Sequence, residues 1–382
     1  MIKTHSHEEE RRFLIAAARL ASEGKEQTAI AETLSISQPK VSRLLREAVE
    51  KRVLAHSPSF IGEGVTPEEI ADADDFFFGQ TQVRDVLRKI APPAVHFDAR
   101  QIKGEAGDFV QMATTRLISL LAGSRVVGLM WGKTMAALVD SIGARPQAAS
   151  RKRISHLKCI PLCGDPVHLM NQLEVEHSAS HLASELEAVL CGGRLPELPC
   201  LTGVPAYVPP ALLKNALFEK YLLSIPGYRE IFGGFQRDAP RALVDEVDTI
   251  ISGVGVVVTD PDRAHHETGA FIRERLFQED SLKKAELSKW ILGDIGGVLV
   301  ERSARDAAKV RALNEGWTGV REHHLKRVAK EAAPGNAPGV IVIAKGKAKA
   351  DLIIEIIRRG YVNEIIVDEE LANEIVRLKP SK

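Results

Sequence analysis

Gln38, Arg43 and Arg46 fall in one stretch, "SISQPKVSRLLREA", together with Ser37, Lys40 and Ser42. These are the polar positions left outward when Val41, Leu44 and Leu45 are given the buried side of a short helix. Their chemistry suits DNA: glutamine pairs bidentately with adenine and arginine with guanine, while serine and lysine bond a base edge or a phosphate. Gln38, Arg43 and Arg46 are therefore expected to read base edges, and Ser37, Lys40 and Ser42 to position the backbone. From Ser37 to Leu54 five basic residues (Lys40, Arg43, Arg46, Lys51, Arg52) stand against two acidic ones (Glu47, Glu50), in a chain whose formal net charge is zero. A basic segment in a neutral chain indicates a small reading head attached to something else, and argues against broad coating of nucleic acid.

A second set of residues has the chemistry of an anion site. Gly132-Lys133-Thr134 follows the apolar run Val126–Met130 and opens a helical period at Met135, so backbone N–H groups, an ammonium and a hydroxyl gather at a helix start. The stretch "GLMWGKT" nearly matches a nucleotide P-loop but has three residues between its glycines where four are required, which counts against a nucleoside triphosphate. Gly253 and Gly255 follow "DTIIS" and are expected to let the backbone approach a ligand. In "AKGKAKA", Lys345, Lys347 and Lys349 crowd a second strand-to-helix turn, where basic residues oppose the helix dipole unless an anion offsets them.

The elements that must position these groups are legible in outline. Ile30, Ala31 and Leu34, then Ile36, then Val41, Leu44 and Leu45 describe two short helices broken at Ser35-Ile36, with Ser37 placed to cap the second and Pro39 in its first turn. "RRFLIAAARLASEG" supplies a preceding helix that ends near Gly24, completing a tri-helical unit over residues 1–56. Residues 57–105 read as a linker followed by a divergent helical segment. From 106 to 382, short Val- and Ile-rich runs such as "SRVVGLM", "HLKCIPLC", "VDTIISGVGVVV", "ILGDIGGVLV" and "GVIVIA" alternate with helical periods. That pattern indicates an α/β domain built on a parallel sheet covered on both faces, with ligands expected outside the carboxyl ends of its strands.

At 382 residues and 45% hydrophobic composition the chain can bury a large core. No apolar stretch is long enough for a membrane span, and "MIKTHSHEEERR" lacks the apolar region of a signal peptide. The cytoplasm is the expected location, and Cys159, Cys163, Cys191 and Cys200 are expected to be reduced thiols. No metal site is expected. Cys159 and Cys163 would lie about 13 Å apart along a strand, and His177 and His181, a helical turn apart, lack a third ligand and are expected at the surface. His265-His266 and His323-His324 lie in polar segments and carry no signal.

These residues resemble the SorC-type sugar-binding bacterial transcription regulators over nearly the whole chain. The resemblance is carried by "QTAIAETLSISQPKVSRLLREA", "VVGLMWGKT", "CIPLCGD", "HLASELEAVL" with "LPCLTGVPAYVPP", "DTIISGVG", "GDIGG" and, most specifically, "VIVIAKGKAKADLIIEIIRRGYVNEIIVDEELA". It implies a helix-turn-helix head joined to a Rossmann-like effector domain similar to sugar-phosphate isomerases and deaminases, one that binds its ligand without turning it over. It also implies double-stranded operator DNA and a sugar or sugar phosphate as partners, a homo-oligomer (dimer or tetramer), and no cofactor. The implied effector site takes Gly132, Lys133, Thr134, Gly253, Gly255, Asp294 and Lys349, with Lys349 preferred among the three lysines because the family's motif carries its lysine there. Ser35 and Arg52 stand where the family commonly has glycine, as does Lys345, and residues 57–105, 259–290 and 314–336 depart from its pattern.

The alternative is an isomerase- or deaminase-like enzyme carrying a DNA-binding head. Acid–base work on a sugar phosphate needs a carboxylate beside it, and Asp165, Asp248 and Asp294 are the candidates at strand ends. A purely architectural DNA protein would not need three glycine-rich loops facing one crevice.

Overall fold

Helical spacing of apolar residues in the first fifty positions produces three helices, α1 (His7–Ser22), α2 (Gln27–Leu34) and α3 (Gln38–Glu50). The structure is a computed structural model that describes residues 7–54, 82–102, 106–144, 154–166, 176–190, 199–209, 212, 215–233, 242–258, 269, 271–273, 286, 289–333 and 336–380. Ile30, Ala31 and Leu34 of α2 meet Val41, Leu44 and Ala48 of α3 and the run Phe13 to Ala18 of α1 in one core, with Ile36 packed against it at the corner. Ser37 occupies the cap position of α3 with extended backbone and Pro39 lies in the first turn, but the Ser37 side chain makes no capping hydrogen bond. The expected side-chain cap is thus absent, and Ser37 is exposed. Ser35 (φ 52°) and Arg52 (φ 57°), the turns before and after α3, are both left-handed. That conformation costs a side-chain-bearing residue about 1 to 2 kcal/mol and glycine nothing.

Six consecutive residues of α1, Phe13 to Ala18, are buried, so α1 is covered on more than the face that meets α2 and α3. Near its end the buried Arg19 pairs with Glu23 (Nε to Oε1, 3.4 Å) within electrostatic reach of Arg100 and Arg116. Burial draws the Arg19 guanidinium down to about 10. Breaking such a pair strands a buried charge. Glu23→Gln is therefore expected to cost about 3 to 5 kcal/mol in urea denaturation, while Arg19→Met with Glu23→Leu recovers most of the loss. A near-neutral Glu23→Gln would show that the pair is solvated.

Beyond the head, the described residues form nine strands: β1 (Asp98–Ile102), β2 (Val126–Leu129), β3 (Lys158–Pro161), β4 (Thr249–Ser252), β5 (Val254–Val256), β6 (Ile291–Ile295), β7 (Val298–Glu301), β8 (Gly339–Ala344) and β9 (Glu364–Asp368). Before, between and after them run α4 (Gln82–Ile90), α5 (Ala106–Leu121), α6 (Lys133–Gly143), α7 (Ala179–Leu190), α8 (Ala216–Ser224), α9 (Pro226–Phe232), α10 (Leu243–Glu246), α11 (Ala307–Glu315), α12 (Glu322–Glu331), α13 (Ala350–Arg358) and α14 (Glu369–Leu378). Six strands form one sheet in the order β1-β9-β8-β4-β2-β3, and every pairing in it is parallel. Alternate residues of the strands feed two cores. Ile341, Ile343, Val127, Leu129 and Ile251 pack with α5, α6 and α7. Val340, Val342, Ile250, Ile365 and Val367 pack with α4, α12, α13 and α14 on the other face. The expected α/β domain with both faces covered is therefore present.

Two expectations are corrected. The sheet begins before residue 106: β1, inside the segment read as divergent, is its edge strand and pairs with β9. Its sequence, "DARQI", has no apolar run, and its first residue is held by charge: Asp98 meets Arg84 of α4 (Nε to Oδ1, 2.6 Å). The runs "VGVVV" and "ILGDIGGVLV" do not join the parallel sheet. The chain leaves it at Gly253, and β5, β6 and β7 form a separate antiparallel sheet. β6 and β7 are a hairpin turned on Gly296 (φ 56°) and Gly297 (φ 79°), the two positive φ values that a two-residue turn of this hand requires. Periodicity alone does not separate a buried parallel strand from a buried hairpin of the same length. Residues 57–81, Cys191, His265, His266 and most of 259–290 lie outside the described residues.

Candidate functional site

The head presents its polar side chains on α3. Ser37, Gln38, Arg43 and Arg46 are exposed, and Lys40 and Ser42 half-buried. Gln38 Nε2 donates to Gln27 Oε1 (3.0 Å). Arg43 stands 3.6 Å from Glu10 with both side chains mostly in solvent, a pair weak enough to yield to a phosphate or a base. Lys40 Nζ lies 4.5 Å above the Phe13 ring, so its stem is held by packing while its charge stays near the surface.

At the other end of the chain, the three loops picked out by residue type converge. Gly132, Lys133, Thr134, Gly253, Gly255, Asp294 and Lys349 all line one crevice of about 240 Å³. It opens at the carboxyl ends of β2, β4 and β8. From β2 the chain passes to β3 on one side and returns to β4 on the other, so the crevice lies at the point where the strand order reverses, the position favoured for ligands in open sheets of this type.

Local sequence explains each contribution. Gly132 precedes α6 with φ of 142° and no side-chain cap, which leaves the first-turn N–H groups of α6 available to an anion; its own N–H donates to His177 O (3.1 Å). A Cβ at Gly253 would enter open space, consistent with an unobstructed wall. Gly255 has a different reason from the one expected: a Cβ there would strike Asp294 Oδ1, so the missing side chain houses a carboxylate. Asp294 ends β6 and is buried, and Gly297 N–H donates to its Oδ2 (2.9 Å).

The third loop is a tight turn (Lys347–Lys349) leading into α13. Gly346 N–H donates to both carboxylate oxygens of Asp368 at 3.1 Å. Lys345 and Lys347 are exposed, Lys347 lying 3.8 Å from Glu370; Lys349 is half-buried and lines the crevice. Burial lowers the Lys349 ammonium below the ordinary lysine range, against the pull of Asp368 and Asp294 and with a push from Lys345.

Trp131, Phe271, Arg273 and Ser252 are among the crevice residues beyond the seven that the sequence reading picked out. Trp131 and Ser252 adjoin the loops already singled out. Phe271 and Arg273 come from a segment with no readable pattern. The other two candidate acids lie elsewhere. Asp248 precedes β4 at the opposite end of the sheet, where Arg125 N–H donates to it (3.0 Å). Asp165 is buried and accepts from Gly203 N–H (3.1 Å). His177 is half-buried against Trp131, with ring centroids 6.3 Å apart, and so is not the surface histidine expected. His181 pairs with Glu185 (3.5 Å). Among the described residues no three His, Cys, Asp or Glu side chains gather as a metal set.

A larger cavity of about 600 Å³ lies between α11, α12 and β7, where Arg359, Arg321 and His324 are engaged within the protein. Arg359 bonds Glu301 and Glu355, each at 2.8 Å. Arg321 donates to the carbonyls of Asn314 and Glu315, and its N–H to His324 Nδ1. His324 is held neutral by burial, at about 3.

No protein-family model matches the chain, and no curated protein matches it by sequence. Solved structures do. The full-length sorbitol operon regulator SorC from Klebsiella pneumoniae is similar over 96% of this chain and 99% of its own, with a TM-score of 0.52 and 15% identity. A transcriptional regulator from Streptococcus pneumoniae is similar over 81% of this chain and 98% of its own, with a TM-score of 0.50 and 16% identity. The likeness is one of fold, and with the first structure it extends across the tri-helical head and the parallel-sheet domain together.

Proposed function

We propose that the chain is a DNA-binding transcriptional regulator of the SorC type, whose hold on a double-stranded operator is set by a small sugar phosphate in the crevice. The observation that carries this is the convergence of Gly132–Thr134, Gly253 and Lys349 on one cavity, in a chain that presents an exposed, basic helix at its other end. The solved structure whose fold extends over both parts is named as a sorbitol operon regulator, in keeping with a sugar-derived ligand here. Lys349 and Arg273 supply charge for the anionic group, Thr134 and the first-turn N–H groups of α6 supply donors, and Asp294 accepts from a hydroxyl. Binding without turnover is part of this reading; Asp248, one of the candidate bases, lies at the far end of the sheet. No cofactor is needed.

One head of this size buries little surface on DNA, so useful affinity calls for a symmetric homo-oligomer on a repeated operator. Leu217 and Tyr221, a turn apart on α8, are 74% and 56% exposed, an apolar stripe suited to contact between copies. Light scattering at micromolar concentration is expected to give a dimer or tetramer.

The experiment is a thermal-shift screen of pentose and hexose phosphates against the purified chain. A ligand at a hundred times its Kd adds about 2.7 kcal/mol; a panel in which no member moves Tm would contradict the assignment. Affinity should also depend on pH. The anion binds the ammonium form of Lys349, and burial lowers the pKa of the free site, so above it binding must take up a proton. With the phosphate already dianionic above about pH 7, affinity is expected to fall as pH rises from there towards the ordinary lysine range. Lys349→Met should bind weakly and lose that slope; an identical slope in the variant would assign it elsewhere.

A further inference from the structure

Trp131 is 9% exposed and lines the crevice, yet among the described residues its buried Nε1–H has no hydrogen-bond partner. Buried indoles ordinarily find an acceptor. Trp317, the next indole in the same aromatic group, does so: its Nε1 donates to Val320 O at 2.9 Å. The Trp131 ring is also fixed. Phe271 lies 5.6 Å away and His177 6.3 Å away, and Phe271 is braced in turn by Trp317 at 4.8 Å. A donor whose desolvation no described residue offsets, on a ring that neighbours hold in place at the crevice wall, gains a partner if a ligand atom reaches it.

We infer that Trp131 recognises the uncharged end of the crevice ligand, its Nε1–H donating to a hydroxyl or carbonyl oxygen that the bound molecule brings. This rests on the crevice being a sugar-phosphate site and narrows what fills it. The cations Lys133, Arg273 and Lys349 answer to the anionic group, and Trp131 adds a demand that a bare anion does not meet. The ligand carries, besides its phosphate, an oxygen acceptor on a carbon skeleton long enough to reach the indole. Phosphorylated polyols and sugars meet both demands; inorganic phosphate and pyrophosphate meet only the first. The aromatic ring beside that donor offers an apolar surface to the C–H face of a sugar.

The test compares two probes on the full-length chain: the tightest-binding hexose or pentose phosphate from a Tm panel, and inorganic phosphate. Trp131→Phe keeps an aromatic ring at the position while removing the donor and part of the indole's bulk. The sugar phosphate is expected to bind about tenfold more weakly to the variant, the loss of one desolvated hydrogen bond, while the affinity for inorganic phosphate stays within twofold. Equal weakening of both probes would mean a structural role for Trp131 and overturn the inference, as would no change in either. If no sugar phosphate binds the wild-type chain at millimolar concentration, the crevice assignment falls and this inference with it. The wild-type protein supplies an arm that does not depend on the variant's stability. With ¹⁵N-labelled indoles, the three tryptophans give three Nε1–H signals, and the Trp131 signal is expected to move downfield with sugar phosphate and to stay in place with inorganic phosphate. A signal that stays put with both probes overturns the inference.

Discussion

Lys349→Ala combined with Thr134→Ala is expected to weaken sugar-phosphate binding at least a hundredfold and to leave operator affinity in the absence of ligand unchanged. Lys349 is half-buried at the crevice wall beside Asp368, and Thr134 lies in the first turn of α6. Each would make a charge-assisted hydrogen bond to the phosphate worth about 1.5 to 3 kcal/mol. The two act on one group, so their losses need not add, and a hundredfold is the lower end of their combined effect. Neither residue belongs to the head or its core, which is why unliganded DNA binding should survive. Calorimetry with the tightest-binding sugar phosphate checks the first part and anisotropy with labelled DNA the second. Unchanged ligand affinity would put the binding site outside this crevice.

The second large effect is expected at the head. Arg43 is exposed on α3 and only loosely tied to Glu10 at 3.6 Å, so it is free to make a bidentate contact with guanine. Arg43→Ala should cost about 1 to 3 kcal/mol on the selected DNA site and relax preference at one base pair. Lys40 differs in kind. Its ammonium sits over Phe13, beside the helix and not at its reading edge, which suits a phosphate. Lys40→Met keeps the packed stem, and should weaken all DNA sequences alike and reduce the slope of log affinity against log salt by about one unit. An equal loss on specific and random DNA for Arg43→Ala would remove it from base reading.

What could be read from residues alone was set by how local the determinants are. The head was legible because its helices, corner and first-turn proline are specified within thirty residues, from Gln27 to Leu54. Even there Ser37 takes the cap position without the capping bond. The central strands were legible because burial on both faces demands an unbroken apolar run such as that of β8. β1 was hidden, since "DARQI" carries polar side chains such as Asp98, paired with Arg84, where a hydrophobic pattern looks for an apolar run. The antiparallel sheet was hidden because strand direction depends on a partner distant in sequence: Val254 pairs with Ile295. The crevice loops announced themselves through glycine and lysine at strand ends. Phe271 and Arg273 reach the same crevice only through tertiary folding, and no local spacing marks them. Gly255 shows that a correct position can have a different cause, since the space it leaves is filled by Asp294.

For the ligand to govern the head, it must bind one arrangement of the proposed oligomer better than another. Moving an equilibrium from 1:99 to 99:1 takes about 5.5 kcal/mol of differential affinity, an amount several crevices of such an assembly would supply together. The central claim is therefore tested most directly by the affinity of the full-length chain for its selected DNA site, measured by anisotropy at fixed salt with and without saturating sugar phosphate. The expected result is at least a tenfold change, in either direction, that disappears in the Lys349→Ala, Thr134→Ala variant. A DNA affinity that stays the same while calorimetry shows the crevice filled would contradict the account.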